Sequence, residues 1–307
     1  MPTGTRASTG VLFALCSIFI VQIGAAASTA MFAAIGPAGT AWLRLCWAGL
    51  IFVLVARPRL TSFHRRDLTA ALVLGVVSGG MTLTFFEAID RIPLATAVAI
   101  EFLGPLGVAV LRRASRWGLV WPPLAFGGVL LVTQPWEGLT DATGIAFALA
   151  AGICWGSYIL LTQRIGQRFH GVTGLAVSMP VAALATTPLG LAQAHGHLTP
   201  MVFLACLGLA LMLPVIPYTL ELLALRRLDA GTFGTLMSVE PAAAALVGAV
   251  MLRQIPGWGQ ALGIALVTVA AIGAARTGRA SEPSAEAEAP PGRDGRQRGT
   301  EPAPWVS

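Results

Sequence analysis

GTFGTLMSVEPAAAALVGAVMLRQ, residues 231–254, is apolar enough to lie in a bilayer, yet it holds a carboxylate, Glu240, followed directly by Pro241. An acidic side chain at the centre of a membrane helix costs about 2.5–3.5 kcal/mol even on lenient insertion scales, so it faces a bundle interior, a partner or a water-filled path. The proline removes a backbone donor and frees a carbonyl one turn back, which only protein or cavity water can satisfy. An earlier stretch is related to it. AIDRIPLATAVAIEFLGP (88–105) aligns without a gap to ALRRLDAGTFGTLMSVEP (224–241), matching Arg91 with Arg227, Thr96 with Thr232 and Pro105 with Pro241. In the first copy the carboxylate is Glu101, about one helical turn before Gly104, which stands at the place of Glu240.

The composition agrees with a membrane setting. Of 307 residues 55% are hydrophobic and 11% charged, with a mean hydropathy of +0.75, against roughly one-quarter charged in soluble domains. The net charge of +6 comes from Arg alone, without any Lys, in short loops and the tail. No loop is long enough to read nucleic acid, so nucleic acid is not an expected partner. Cys16, Cys46, Cys154 and Cys206 lie in apolar runs without CxxC spacing and are read as small core residues.

Ten apolar runs have the length of a crossing: 10–30, 38–56, 68–88, 93–111, 118–134, 143–162, 172–193, 200–223, 230–252 and 257–275. The first, with Arg6 before it and GAAASTA at its end, also has the outline of a cleaved signal peptide. Against that, Thr9-Gly10-x-x-Phe13-Ala14-Leu15 recurs as Thr143-Gly144-x-x-Phe147-Ala148-Leu149, which makes the first run part of a repeat. The predicted fold is therefore an all-α integral membrane protein of ten transmembrane helices in two inverted five-helix repeats, about 9–140 and 141–276. An odd number of crossings inverts the second copy.

Arginine placement sets the orientation, since cytoplasmic loops are the richer in basic residues. With the N-terminus inside, inner segments hold twelve Arg and outer loops two, Arg91 and Arg253. Both termini are thus expected in the cytoplasm. Trp117, Trp121, Trp136 and Trp258 then fall near helix ends, as interfacial Trp does. Residues 277–307 are rich in Ser, Pro, Glu, Gly and Arg and read as a disordered cytoplasmic tail.

Four of the nine acidic residues before the tail sit within apolar runs: Glu87 and Glu101 in runs three and four, Glu221 and Glu240 in runs eight and nine. Inverted repeats set their substrate site near the midplane where the halves meet, so this matched set points to a central cavity. The bland alternative for Glu87 and Glu221, both near helix ends, is capping or snorkelling. Arg44 is the single arginine inside a run; it either reaches the headgroups with its stem or meets a membrane glutamate or a substrate carboxylate. Gln22, Trp155, Ser157, Tyr158 and Tyr218 complete the candidate pathway, although Trp and Tyr at helical spacing more often pack than bind. Two carboxyls in one apolar cavity are disfavoured as two charges, by desolvation and by mutual repulsion. Glu101 and Glu240 are accordingly expected to hold an exchangeable proton.

An intramembrane enzyme is the rival class, and the chain lacks its signatures. His64, His170, His195 and His197 lie in loops or at helix edges, no HExxH occurs, and there is no GxxxxGKS phosphate loop. No cofactor or metal is expected.

Five stretches carry a family resemblance: AWLRL (41–45), AVAIEFLGPLGVAVL (97–111), CWGSYILLTQRIG (154–166), IPYTLELLALRRL (216–228) and GTFGTLMSVEPAAAAL (231–246). The chain resembles the EamA-type drug/metabolite transporter superfamily, and within it the inner-membrane threonine/homoserine exporters. The resemblance implies ten helices in two inverted repeats around a pathway walled by helices one, three, four, six, eight and nine. It also implies efflux of small amino acids or related metabolites across the cytoplasmic membrane, coupled to the proton gradient. One departure is Gln254, where many relatives carry Glu. The expected partners are thus a small-molecule substrate, the proton and the bilayer; a homodimer is compatible with this reading. Export of another amphipathic metabolite or drug is the alternative within the class, and a non-transporting receptor or scaffold the alternative outside it.

Overall fold

The computed structural model describes residues 3–58, 65–111, 120–137, 141–165 and 172–279. Among the described residues the regular elements are helices: α1 (Thr3–Ser28), α2 (Phe32–Ala56), α3 (Arg65–Ile89), α4 (Leu94–Glu101), α5 (Leu103–Leu111), α6 (Trp121–Thr133), α7 (Ala142–Ile165), α8 (Val172–Ala194), α9 (Pro200–Ala210), α10 (Ile216–Leu225), α11 (Ala230–Met237), α12 (Glu240–Met251) and α13 (Trp258–Arg279). The tail assigned to disorder lies outside the described residues, apart from the last turn of α13. So do Arg59, Arg112, Arg113, Arg116 and Arg168 among the arginines used for orientation.

By length and hydropathy, seven stretches among the described residues can cross a membrane, alongside two shorter apolar helices, Leu94–Val108 and Trp121–Thr133. The gap from the expected ten has two sources. The first stretch, Ser8–Ala56, is 49 residues long, and as one helix would span about 74 Å, over twice a hydrocarbon core of about 30 Å. It is broken by a tight turn at Thr29–Met31 and by Gly36, whose φ of 70° is left-handed. The other source is the shortness of the two remaining helices, of which Trp121–Thr133 has 13 residues.

Three of the apolar runs are discontinuous, each beside a proline. Pro105 leaves the Glu101 carbonyl without its i+4 donor, and α4 gives way to α5 at Phe102. Pro214 accompanies a wide turn at Leu211–Val215 in which Leu213 is extended (φ −154°, ψ 108°). Pro241 stands at the second residue of α12, so α11 ends at Met237 and α12 begins at Glu240. Both focal carboxylates therefore sit at helix breaks, Glu101 closing α4 and Glu240 opening α12.

Small residues let these helices approach closely, which is how membrane helices gain contact without a hydrophobic drive between them. α2 and α8 meet where Gly49 faces the Pro180 backbone, and α6 meets α13 where Gly128 and Gly263 face each other's carbonyls. The largest core cluster joins Phe86, Ile89 and Ile92 to Leu94, Val98 and Ile100 of α4 and to Val132 and Val267.

Equivalent positions of the two halves make equivalent contacts. Gly144 of α7 receives Ile92 and Arg91, and Gly10 of α1 receives Leu228 and Arg227. The two contacts lie at opposite ends of the molecule, since α11 and α12 run from just after Arg227 to Gln254, whose Oε1 accepts the Leu94 N–H at 3.0 Å. Gln254 thus caps the first turn of α4, a role that needs an acceptor oxygen rather than a charge.

Candidate functional site

The broken helices surround a cavity of about 730 Å³. Its polar lining includes Gln22 from α1, Arg44 from α2, Thr82 from α3, Glu101 from the end of α4, Tyr158 and Thr162 from α7, Tyr218 and Glu221 from α10, and Ser238 and Glu240 from the α11/α12 break. Phe85, Phe86, Phe102 and Trp155 supply aromatic walls, Trp155 meeting Phe102 edge to face at 5.4 Å between centroids. Of the helices implied by the resemblance all contribute, but α2 and α13 do as well, the latter through Ala271, Ala274 and Ala275.

The charges are unevenly partnered. Glu221 accepts a hydrogen bond from Ser17 at 2.9 Å, with the Pro217 carbonyl 3.3 Å from the same hydroxyl as its other acceptor. Glu240 is within electrostatic reach of both Glu221 and Glu101. Three carboxyl groups therefore share one apolar chamber. In the same lining, Arg44 is 4% exposed and lays its guanidinium over the Phe86 ring, 4.6 Å from the centroid. Its Nε and Nη1 have no hydrogen-bond partner, nor has Oε1 of the buried Gln22. A buried cation and a buried carbonyl oxygen are thus left unsatisfied at a cavity wall, where protein groups are normally paired. Arg44 does not snorkel: it is enclosed by protein, with Tyr218 and Cys206 as its ionisable neighbours.

Eight of the ten residues singled out from the sequence line this one cavity: Gln22, Arg44, Glu101, Trp155, Tyr158, Tyr218, Glu221 and Glu240. Two do not. Ser157 donates to the Ile153 carbonyl one turn back at 2.8 Å. Glu87 is bound to Arg91 at 2.6 Å and accepts from Gln193 Nε2 at 3.4 Å. Ser17 is the functional neighbour that sequence reasoning missed, since a small hydroxyl residue in an apolar run carries no spacing signal. The six phenylalanine and methionine side chains of the lining, Met81, Phe85, Phe86, Phe102, Phe233 and Met237, were likewise indistinguishable from packing residues.

A helical chain that crosses the membrane many times and encloses a charged chamber between broken helices has the build of a membrane transporter. Comparison with known proteins bears on which kind. The model of the EamA-like transporter family matches residues 142–276. The threonine/homoserine exporter RhtA of Salmonella typhimurium is 35% identical over 274 residues, covering 87% of this chain and 91% of the relative. RhtA of Escherichia coli K12 is 35% identical over 276 residues, covering 88% and 92%. One solved crystal structure superposes with a TM-score of 0.60 at 20% identity, over 88% of this chain and 98% of the other, a likeness of fold alone. The chain belongs to the EamA-like transporter family.

Proposed function

We propose that this protein exports small neutral amino acids of the threonine and homoserine type across the cytoplasmic membrane in exchange for protons. In this reading the ten apolar runs are ten crossings in two inverted repeats, with both termini cytoplasmic. The observation that carries it is the chamber's polarity: Arg44, whose Nε and Nη1 have no hydrogen-bond partner, lines the same cavity as three carboxyl groups, Glu101, Glu221 and Glu240. That arrangement complements a zwitterion. Arg44 receives the α-carboxylate and the carboxyl cluster receives the α-ammonium, while Gln22 Oε1 accepts one ammonium hydrogen or a side-chain hydroxyl. The 35% identity to the RhtA exporters supports the choice of substrate.

Coupling follows from competition. A proton and an ammonium group neutralise the same carboxylate, so the site binds one or the other. Substrate enters the deprotonated site from the cytoplasm and leaves outside as a proton replaces it. Exposure of the site to each side in turn then gives antiport. The sign is set by that exchange: threonine affinity of the purified protein falls as pH is lowered from about 8 to about 5, the range in which a buried carboxyl takes up its proton. Glu240→Gln, which keeps volume and removes the charge, abolishes export and flattens the pH dependence while the protein stays folded and inserted. An affinity indifferent to pH would leave a uniporter as the better account, and no threonine uptake by inside-out vesicles under any gradient would remove the substrate.

The size and walls of the chamber support a second reading, a larger amphipathic substrate. About 730 Å³ lined mainly by apolar side chains is ample for a drug-sized molecule. Competition by bulkier amino-acid derivatives against labelled threonine separates the two, because a threonine carrier excludes them.

A further inference from the structure

The two halves build the same latch at opposite ends of the molecule, and the copies differ in the charge around it. At one end Arg91, just after α3, lies over the Phe147 ring of α7, 5.1 Å from the centroid. At the other, Arg227, just after α10, lies over the Phe13 ring of α1 at 5.0 Å. Each arginine donates Nη1 to the carbonyl four residues back, Glu87 at 2.6 Å and Leu223 at 2.9 Å. The residue supplying that carbonyl makes the difference. Glu87 adds a carboxylate 2.6 Å from Arg91 Nη1, with exposed Asp90 a longer 4.0 Å away, whereas the matching places hold Leu223 and Arg226 and add none.

The Glu87 carboxylate also reaches beyond its own helix. Gln193 of α8 donates Nε2 to Glu87 Oε1 at 3.4 Å, and its own Oε1 accepts the N–H groups of Ala38 at 2.8 Å and Gly39 at 3.3 Å. Those are among the first amides of α2 past its break at Gly36. One network therefore ties α3, α8, α2 and, through Arg91, α7. The burial of matched residues differs in the same sense. Ile89 is 5% exposed and its counterpart Leu225 45%. All eight residues of α4 are buried, while Thr232–Met237 of α11 are only half-buried. Leu225 and Phe233 line the chamber, which among the described residues is thus shut toward Arg91 and open toward Arg227.

We propose that Glu87 is a positioning residue: with Arg91 and Gln193 it locks the Arg91 end shut, so that the carrier rests with its chamber open at the Arg227 end. The inference rests on the transport reading above and deepens it. In that reading the open end faces the cytoplasm, where an exporter loads. The Arg227 latch has an aromatic face and a backbone carbonyl but no carboxylate from its helix, so it yields first. Release at the Arg91 end requires breaking a charge-assisted pair that the other end lacks.

The test reads conformation. Thr82, which lines the chamber, is replaced by cysteine in a chain whose four native cysteines are changed to serine or alanine, and T82C is reacted with a membrane-impermeant maleimide in sealed vesicles of each orientation. With Glu87 present, labelling comes from the Arg227 side. E87Q raises labelling from the Arg91 side roughly tenfold and lowers it from the other. Q193A, which keeps the ion pair, moves both in the same direction by less, and the exchange E87R/R91E returns them part of the way. Equal labelling of the parent chain from both sides overturns the closed end, and labelling unmoved by E87Q overturns the lock. Should E87Q fail to insert, Q193A decides: a shift supports the lock and none removes it. Labelling needs no substrate, so failure of the amino-acid reading leaves this result standing, and an unmoved ratio leaves the amino-acid reading intact.

Discussion

In the proposed transport reading, Arg44 is a single residue on which stability and function make opposite demands. A buried charge without a hydrogen-bonded acid pays its desolvation with little return, and replacing such a group by an apolar side chain of similar length is often neutral or stabilising. Arg44 retains only part of that compensation through the Phe86 ring. Arg44→Met is therefore expected to leave the thermal unfolding temperature in detergent unchanged or higher, while threonine affinity drops about 10- to 100-fold, the value of one charge-assisted bond. A variant that melts early and binds normally would make Arg44 a packing residue. Polar side chains in apolar runs announced themselves in the sequence, since each is an expense that needs a reason. Ser17 did not, because its acceptor Glu221 stands 204 residues away in the chain and a serine in a membrane helix is cheap.

At the scale of the helix, the decisive feature is the break. Pro105 and Pro241 were readable as missing donors, and the helices do end beside them. Legible too was the run of small residues, but not its partner. A Cβ at Gly104 would stand 1.9 Å from the Gly152 carbonyl oxygen, and one at Gly152 would stand 2.8 Å from that of Glu101. The freed Glu101 carbonyl is thus pressed against α7, and Glu101 takes its position from that contact. Gly104→Ala must part α5 from α7, at about 1–3 kcal/mol of overpacking, and should lower the melting temperature by several degrees while weakening binding. Gly107→Ala is the control, because nothing lies within 4 Å of its added carbon; equal melting of the two variants would show that the crossing is not tight. The runs at 93–111 and 118–134 were drawn as full crossings from hydropathy, whereas the helices there are the two shortest apolar ones. Hydropathy averages over a window and does not register where proline ends the hydrogen-bond ladder.

For the whole molecule, orientation is the property still carried by the arginine count alone. A reporter active only in the cytoplasm, fused after Arg276, is expected to be on, and the same reporter placed between α8 and α9, at 195–199, off. The reverse pattern would overturn the cytoplasmic placement of the termini, and the same state at both positions would sink the inverted arrangement, which needs an odd number of crossings between them. Length, hydropathy, the repeat and the buried charges together determined the membrane class, the positions of the helices and most of the chamber's polar residues. These are local or pairwise properties of the chain: a side chain's transfer free energy and a proline's missing N–H hold wherever the segment is packed. Tertiary structure alone decided that Glu221 turns into the chamber while Glu87 turns to Arg91, that Arg44 stacks on Phe86 rather than meeting a glutamate, and that the Arg91 end is the closed one. Each of these depends on which neighbours the packing supplies, and two related half-sequences take different neighbours once one end of the molecule is shut.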